Sequence, residues 1–297
     1  MAAVEGLTTL IVEVEGKSGL SALFGREPLT YDEVVLAAGG GPSGAADVRG
    51  RTITPDDALL EYLEDHGLRR VSKRLVSSGA LDVVATAAPG IKDILILGKI
   101  KQLERGGAAD LIVLDAPAAG HAITFLMSAR GLLDAVTMGP IHTQAREVLE
   151  LLTDAERCQV MLVTLPEETP VNELVDTAFA LEDRVGVSLG PVVVNGLYPP
   201  VPGLDEDPEA LAAAAGVTLR TGEAEALRDA ARFRLARRAL HEEQLGRLAD
   251  RLPLPQLHLP FVFRPALGPA DVDELAAALR EGVTALPAVP AGRGATP

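Results

Sequence analysis

The stretch ADLIVLDAPAAGHAITFL, residues 109–126, decides the fold. Its first part, residues 111–114, is an apolar, β-branched run, which is typical of a parallel strand buried on both faces. The run ends at the carboxylate of Asp115, and a loop of small residues that includes Gly120 leads into an apolar helical pattern. Nucleotide-binding α/β sheets use this order of elements, and their ligands lie beyond the carboxyl ends of the strands. We therefore expect Asp115 to border a ligand site, although such residues are also common in ordinary loops.

Charge and composition exclude several classes of function. The chain of 297 residues carries 27 basic and 42 acidic side chains, a net charge of −15, which argues against a general nucleic-acid-binding surface. A single cysteine excludes a disulfide framework within one chain. Because the sequence shows no apolar run of ~18 residues and no secretory signal pattern, we expect a cytoplasmic protein without stable membrane insertion.

Apolar periodicity, glycine and proline divide the chain into alternating strands and helices. Strands are predicted at residues 7–14, 33–38, 48–53, 111–114, 159–165, 190–194 and 254–259, with buried runs at 111–114 and 159–165. Residues 33–38 and 48–53 are expected to pair with each other. Helices are predicted at residues 18–24, 54–67, 80–87, 91–104, 141–152, 171–185, 221–251 and 271–286. This order predicts an α/β protein with a doubly wound, mainly parallel sheet and flanking helices. The tail, residues 287–297, is expected to be disordered.

Two Gly–Lys pairs test whether the chain carries a phosphate-binding loop. The P-loop motif is G-x-x-x-x-G-K-[ST], but the residue five positions before Gly16 is Ile11. The second pair, Gly98–Lys99, has Asp93 at that position. Neither pair fits the motif, so no loop that would cradle a triphosphate is visible in these residues.

Several segments carry a resemblance to a known family. They are VEVEGKSGLSALFG at residues 12–25, APGIKDILILGKIK at 88–101, DAPAAGH at 115–121, LVTLPEETPVNE at 162–173 and VVVNGLYP at 192–199. In this order they resemble the anion-transporting ATPases of the ArsA and Get3 type, which are deviant-Walker P-loop NTPases with the motif D-T-A-P-T-G-H. The resemblance is greatest to actinobacterial members, and it implies that residues 1–286 form an ATPase domain with a helical subdomain at about 54–105 and 131–155.

The resemblance implies a role for four residues. Glu15 would be catalytic and orient the attacking water, and Asp115 would be catalytic and contact Mg²⁺ through water. Both acids would point into one pocket for a magnesium-bound nucleotide. Gly120 and Asn195 would bind the nucleotide, Asn195 by reading the adenine edge. The implied cofactors are ATP and Mg²⁺, and the implied assembly is a homodimer or a heterodimer with a paralogous ATPase subunit.

Each of these residues also has an ordinary structural explanation. Glu15 could be an exposed acid at a strand end, and Asp115 could cap a loop. Gly120 could be the N-cap of a helix, which is compatible with nucleotide binding, and Asn195–Gly196 fits a tight turn.

The departures from the family leave two functions open. The family's first strand and P-loop would precede residue 7, so their absence reflects either truncation or a genuine loss. The CxxC pair that binds zinc and the arsenite-binding cysteines are absent as well, so we expect no zinc. The chain is then an ArsA-like ATPase that drives a switch-loop change, or a P-loop-less, non-catalytic subunit that acts as a partner or scaffold. We expect weak or no ATP turnover from these 297 residues. A partition-type ATPase ranks last because the C-terminus lacks a basic amphipathic helix.

Overall fold

The computed structural model describes residues 1–14, 19–40, 44–65 and 90–287. Helices and strands alternate in these ranges, so the chain has an α/β fold in which parallel strand pairs dominate. Two compact units divide the chain. The first comprises Met1–Val160, Thr177–Leu189 and Ala266–Glu274, and the second comprises Met161–Asp176, Gly190–Pro265 and Leu275–Pro297.

The first unit contains a four-stranded sheet in the order β2-β3-β1-β4. Its strands are β1 (Thr9–Val14), β2 (Val34–Ala37), β3 (Val48–Ile53) and β4 (Leu111–Asp115). β1 runs parallel to β3 and β4, whereas β2 pairs antiparallel with β3, as expected for residues 33–38 and 48–53. The carboxyl ends of β3, β1 and β4 therefore meet at one edge of the sheet.

Side-chain hydrogen bonds fix the starting register of β1 against β4. The Thr8 hydroxyl donates to Asp110 Oδ2 at 2.6 Å, and the Thr8 backbone N–H donates to the same oxygen at 2.9 Å. In return, the Asp110 N–H donates to the Thr8 hydroxyl at 3.0 Å. A slip of one residue would reverse the face of every side chain, so these bonds align the strand ends that follow.

Helices of the first unit pack against one another. They are α1 (Leu20–Leu23), α2 (Pro55–Asp65), α3 (Ile91–Arg105), α4 (Ala119–Ala135) and α5 (Pro140–Thr153). α2 begins as its sequence predicts, because the Thr54 hydroxyl accepts the Asp57 N–H at 3.2 Å and Pro55 occupies the first helical position. α3 packs against α2, α4 and α5.

The second unit contains a parallel three-stranded sheet in the order β5-β6-β7. Its strands are β5 (Val163–Thr164), β6 (Val192–Leu197) and β7 (Gln256–Pro260). The remaining helices of the chain are α6 (Glu168–Arg184), α7 (Pro208–Ala214), α8 (Glu223–Arg251) and α9 (Pro269–Ala285).

Burial of two strands differs from the prediction. Residues 111–114 form a parallel strand as expected, but the expected burial is wrong, because Leu111 is 39% exposed and Val113 is 42% exposed. The expected buried strand at residues 159–165 is reduced to Val163–Thr164, and Val163 is 64% exposed. The physical reason is pairing: β4 and β5 are edge strands, each with one neighbour in the described part of the chain.

Several predictions fall on residues outside the described ranges. They concern the loop that carries Glu15, the helix at residues 80–87 and nearly all of the predicted disordered tail. Among the helices that the structure does describe, none combines the length and apolarity that crossing a bilayer requires.

Candidate functional site

Three polar side chains form a row across the carboxyl ends of β3, β1 and β4. In the register of the sheet, Glu13 is the partner of Thr52 on one side and of Asp115 on the other. Register partners in parallel strands lie about 4.8 Å apart and point to the same face of the sheet. Two carboxylates and a hydroxyl are thus brought together from three distant parts of the chain.

Glu13 is the buried member of this row. It is 4% exposed, and each of its carboxylate oxygens accepts a hydrogen bond. Oε1 accepts the backbone N–H of Leu20 at 3.2 Å, and Oε2 accepts the Thr52 hydroxyl at 3.1 Å. Leu20 is the first residue of α1, so Glu13 ties the start of that helix to the ends of β1 and β3.

Asp115 is the exposed member of the row. Its side chain makes no hydrogen bond or ion pair with any residue in the described ranges, so its carboxylate is available to a ligand. α4 begins four residues later, and no side chain caps its first turn. The free N–H groups of a helix N-terminus favour an anion, and this one follows directly after the acid.

Gly120 is the second residue of α4, and a Cβ placed on it would meet nothing within 4 Å. Sterics within the chain therefore do not require glycine at this position. The alternative of a helix N-cap residue is wrong, since Ala118 occupies the N-cap.

Glu15 lies outside the described residues, so its proximity to Asp115 stays a prediction. The strand before it supports part of that prediction, because β1 ends at Val14 directly beside β4. Sequence reasoning missed Glu13 and Thr52 as members of this edge. The available signal was a charged residue inside the strand TLIVEV, where an acid needs a buried partner.

The chemistry of this row fits a magnesium ion. Mg²⁺ prefers oxygen ligands and is usually held by one or two carboxylates together with water and phosphate oxygens. Asp115 offers such oxygens, whereas Glu13 and Thr52 are buried and bonded to each other, so they support the site. No group of three or more His, Cys, Asp or Glu side chains suited to a metal exists in the part of the chain that the structure describes. The site therefore fits a metal ion that is held partly by the phosphate oxygens of a bound molecule.

Asn195 lies in the second unit, within a β-bulge. β6 continues through Asn195 and Gly196 to Leu197, with one extra residue relative to β7 between Val194 and Leu197. Gly196 has a φ of 78°, which permits the bulge. The alternative of a tight turn is therefore wrong, and the bulge leaves the Asn195 side chain exposed at the carboxyl end of the sheet.

Aromatic rings cluster at the same end of this sheet. Tyr198 follows β6, whereas Phe261 and Phe263 follow β7, and the ring centroids of these three residues lie 4.6 to 5.2 Å apart. The Arg234 guanidinium of α8 lies 4.6 Å from the Phe263 ring centroid. Phe261 is 42% and Phe263 is 53% exposed, so the cluster presents flat apolar surface to solvent.

His241 packs against Tyr198 of this cluster, and the centroids of the two rings lie 5.2 Å apart. It is buried, and its Nδ1 accepts the Tyr198 backbone N–H at 3.3 Å, which places the ring proton of the neutral form on Nε2. Burial, helped by the nearby Arg237 charge, lowers the pKa of His241, although Glu167 acts in the opposite direction. Arg237 itself pairs with Glu167 at 2.7 Å.

The chain has three Tyr and six Phe residues, and three of these nine form the cluster. Sequence reasoning missed them. The signal was the position of YPP directly after β6 and of FVF directly after β7, where parallel sheets bind ligands.

Comparisons with known proteins identify related ATPases. No protein-family model matches the chain. The chain is similar to ATPase BagA of Mycobacterium tuberculosis, with 33% identity over 204 residues that cover 66% of this chain and 58% of that protein. It is also similar to a Halobacterium salinarum protein named as an arsenical pump-driving ATPase, with 25% identity over 213 residues that cover 65% of this chain and 32% of that protein. The chain thus spans little more than half the length of BagA. The similarity to a mycobacterial ATPase agrees with the expected closeness to actinobacterial members.

Proposed function

We propose that these residues belong to an ArsA-like ATPase that binds ATP with Mg²⁺ and hydrolyses it. The observation that carries the proposal is the row of Asp115, Glu13 and Thr52, which joins two carboxylates at the carboxyl edge of a parallel sheet. The names of the two relatives support the same activity. Because the chain spans only part of their length, the activity of the whole protein belongs to the proposal.

In this proposal Asp115 and Glu15 have different roles at the phosphates. Asp115 holds Mg²⁺ through water, and Glu15 orients the attacking water at the end of β1. Glu13 keeps the ends of β1, β3 and α1 together through its two hydrogen bonds, so it fixes the strand end that carries Glu15. Bound Mg²⁺ would supply charge neutralisation on the phosphate oxygens. Gly120 and the free N–H groups of α4 face the phosphates.

Taken by itself, the second unit carries the residue that we propose for base binding. Asn195 can hydrogen-bond the edge of adenine, because the bulge exposes its amide. Tyr198 and Phe261 offer a face on which a base can stack, and such stacking is worth about 1–3 kcal/mol. Replacing Asn195 with alanine should therefore weaken ATP binding more than GTP binding.

A non-catalytic subunit is the second candidate. Such a subunit would retain the sheet and pair with a paralogous ATPase. The proposed ATPase would also act as a dimer, so observing a dimer does not distinguish the two functions. A measurement of ATP turnover does distinguish them.

Equilibrium binding of a fluorescent ATP analogue, with and without Mg²⁺, tests the nucleotide site. We expect Mg²⁺ to strengthen binding, and we expect Asp115→Asn to remove most of that gain. Asp134→Asn is the matched control, since it changes an exposed aspartate in α4, the helix that follows Asp115. No nucleotide binding would contradict the site, and equal effects of the two variants would contradict the role of Asp115.

Hydrolysis is then measured with the purified chain and with a form extended upstream by a P-loop-bearing segment. Turnover by the extended form that Glu15→Gln abolishes would support the ATPase. Nucleotide binding without turnover in both forms would support the non-catalytic subunit.

A further inference from the structure

Helix α8 holds the segment that follows β6 through two contacts with its backbone. The Tyr198 N–H donates to His241 Nδ1 at 3.3 Å, and Arg234 Nη2 donates to the Pro199 carbonyl oxygen at 3.2 Å. Arg234 and His241 both belong to α8 and lie about two helical turns apart, so they share one face of the helix. One face of α8 therefore fixes the backbone at Tyr198 and Pro199.

The Tyr198 ring lies at the centre of the aromatic cluster. Its centroid is 5.2 Å from that of Phe261 and 5.0 Å from that of Phe263. It is also 5.2 Å from the centroid of the His241 ring, with an angle of 84° between the two ring planes. A shift of Tyr198 would change its contacts with both phenylalanine rings. The surface that the cluster presents therefore depends on the residue that holds Tyr198.

Of the two backbone contacts, only the one made by His241 can be changed by a proton. The Arg234 guanidinium is always protonated in proteins, so its bond to Pro199 does not respond to pH. The Nδ1 atom of His241 accepts a hydrogen bond only while the ring is neutral, and a proton on Nδ1 turns that acceptor into a donor. The Tyr198 N–H would then face a second donor, and the contact would be lost.

Two charges of opposite sign act on the His241 ring, whereas Tyr198 contributes an uncharged ring. Arg237 lies one turn before His241 in α8, and Glu167 lies between β5 and α6. These two side chains form an ion pair at 2.7 Å. Burial and the Arg237 charge lower the pKa of His241, and the Glu167 charge raises it. The ring is therefore neutral at neutral pH and gains its proton only in acid solution.

We propose that His241 is a positioning residue for base binding, whose neutral ring keeps Tyr198 where a base can stack and whose protonated ring releases it. Binding of the base should then weaken in acid by about threefold to tenfold, the effect of losing one hydrogen bond. The inference rests on the proposed function, because it assigns the aromatic cluster to the base of a nucleotide. It adds a residue that acts on the ligand through Tyr198.

The test uses 2-aminopurine riboside triphosphate with Mg²⁺, a probe whose fluorescence falls when its base stacks. Its affinity for the full chain is measured from about pH 8 to about pH 5, the range in which histidine titrates. His241→Asn is the matched variant, because asparagine carries a neutral acceptor oxygen near the position of Nδ1. Titration of the probe's phosphates affects both proteins equally, so the ratio of their affinities isolates His241.

The affinity of the unaltered chain relative to His241→Asn should be about one at about pH 8 and should fall about threefold to tenfold by about pH 5. His241→Leu removes the acceptor at every pH. It should therefore bind the probe at neutral pH about as weakly as the unaltered chain does in acid. Circular dichroism at each pH checks that every variant remains folded.

Two variants of the ion pair distinguish a positioning role from a purely structural one. Arg237→Gln removes the charge that opposes the proton, so the midpoint of the pH dependence should move to higher pH. Glu167→Gln removes the charge that favours the proton, so the midpoint should move to lower pH. A His241 side chain that only filled space would not produce these opposite shifts.

Nuclear magnetic resonance of the ligand-free chain separates failure of this inference from failure of the proposed function. The Tyr198 amide signal should shift with pH at the midpoint of the binding curve, and His241→Asn should remove that response. A responding amide in a chain that never quenches the probe would overturn the proposed base site, and the role of His241 in base binding with it. Quenching that depends equally on pH in the unaltered chain and in His241→Asn would overturn the role of His241 alone.

Discussion

Replacing Thr52 with valine tests whether the buried carboxylate of Glu13 depends on its hydroxyl partner. Valine has nearly the shape of threonine but cannot donate a hydrogen bond. The Thr52 hydroxyl donates to Glu13 Oε2 at 3.1 Å, and both residues are buried. The variant therefore removes one donor from a buried charge and changes little else.

The expected loss of unfolding free energy follows from that contact. A hydrogen bond to a charged group contributes about 1.5–3 kcal/mol, against about 0.5–1.5 kcal/mol for a neutral pair. Thr9 provides the matched control, since it is equally buried on the neighbouring strand and its hydroxyl donates to the neutral Leu7 carbonyl at 3.1 Å. Thr52→Val should cost about 2 kcal/mol, and Thr9→Val about half as much.

Urea unfolding followed by circular dichroism measures these losses, because the chain has no tryptophan to report by fluorescence. A loss of about 2 kcal/mol lowers the urea midpoint by about 1 M in a small unit. Glu13→Gln completes a double-mutant cycle with Thr52→Val, and the coupling energy should exceed about 1 kcal/mol. Fully additive losses, or a Thr52→Val loss no larger than that of Thr9→Val, would refute the reasoning.

Further predictions concern a half-buried ion pair, a histidine and a glycine. Lys101 is buried and donates to Glu147 at 2.6 Å and to Gln144 at 2.8 Å, so Glu147→Ala leaves one acceptor and should cost about 1.5–2 kcal/mol in urea unfolding, and adding Lys101→Met should recover part of that loss. Burial lowers the pKa of His241 below its ordinary value of 6.5, so the unfolded chain binds more protons and stability should fall as the pH drops below about 6.5. His241→Asn should flatten that part of the pH profile in thermal unfolding, and an unchanged profile would contradict the assignment. Gly120→Ala should leave stability unchanged or raise it by up to about 1 kcal/mol, since its Cβ meets nothing within 4 Å, and weaker nucleotide binding by a variant of full stability would support the phosphate role.

The sequence by itself determined most of the order of elements and the position of the acid at the end of β4. Helix starts such as Thr54–Pro55 and strand runs such as residues 111–114 depend on neighbours close in the chain, so their patterns are visible without a fold. The pairing of residues 33–38 with 48–53 was predicted for the same reason.

Only the tertiary structure decided which residues share a site and which strands are covered. Glu13 meets Thr52 and Asp115 across chain separations of 39 and about 100 residues, and nothing local to Glu13 encodes those partners. The Asn195–Gly196 bulge likewise depends on the register of β6 against β7. The burial of β4 could not be predicted from its apolar run, because burial depends on which strands and helices pack against it. Local interactions depend on residues that are close in the chain, so the sequence pattern predicts them. The pairing of distant strands depends on the formation of the whole sheet, so it is visible only in the tertiary structure.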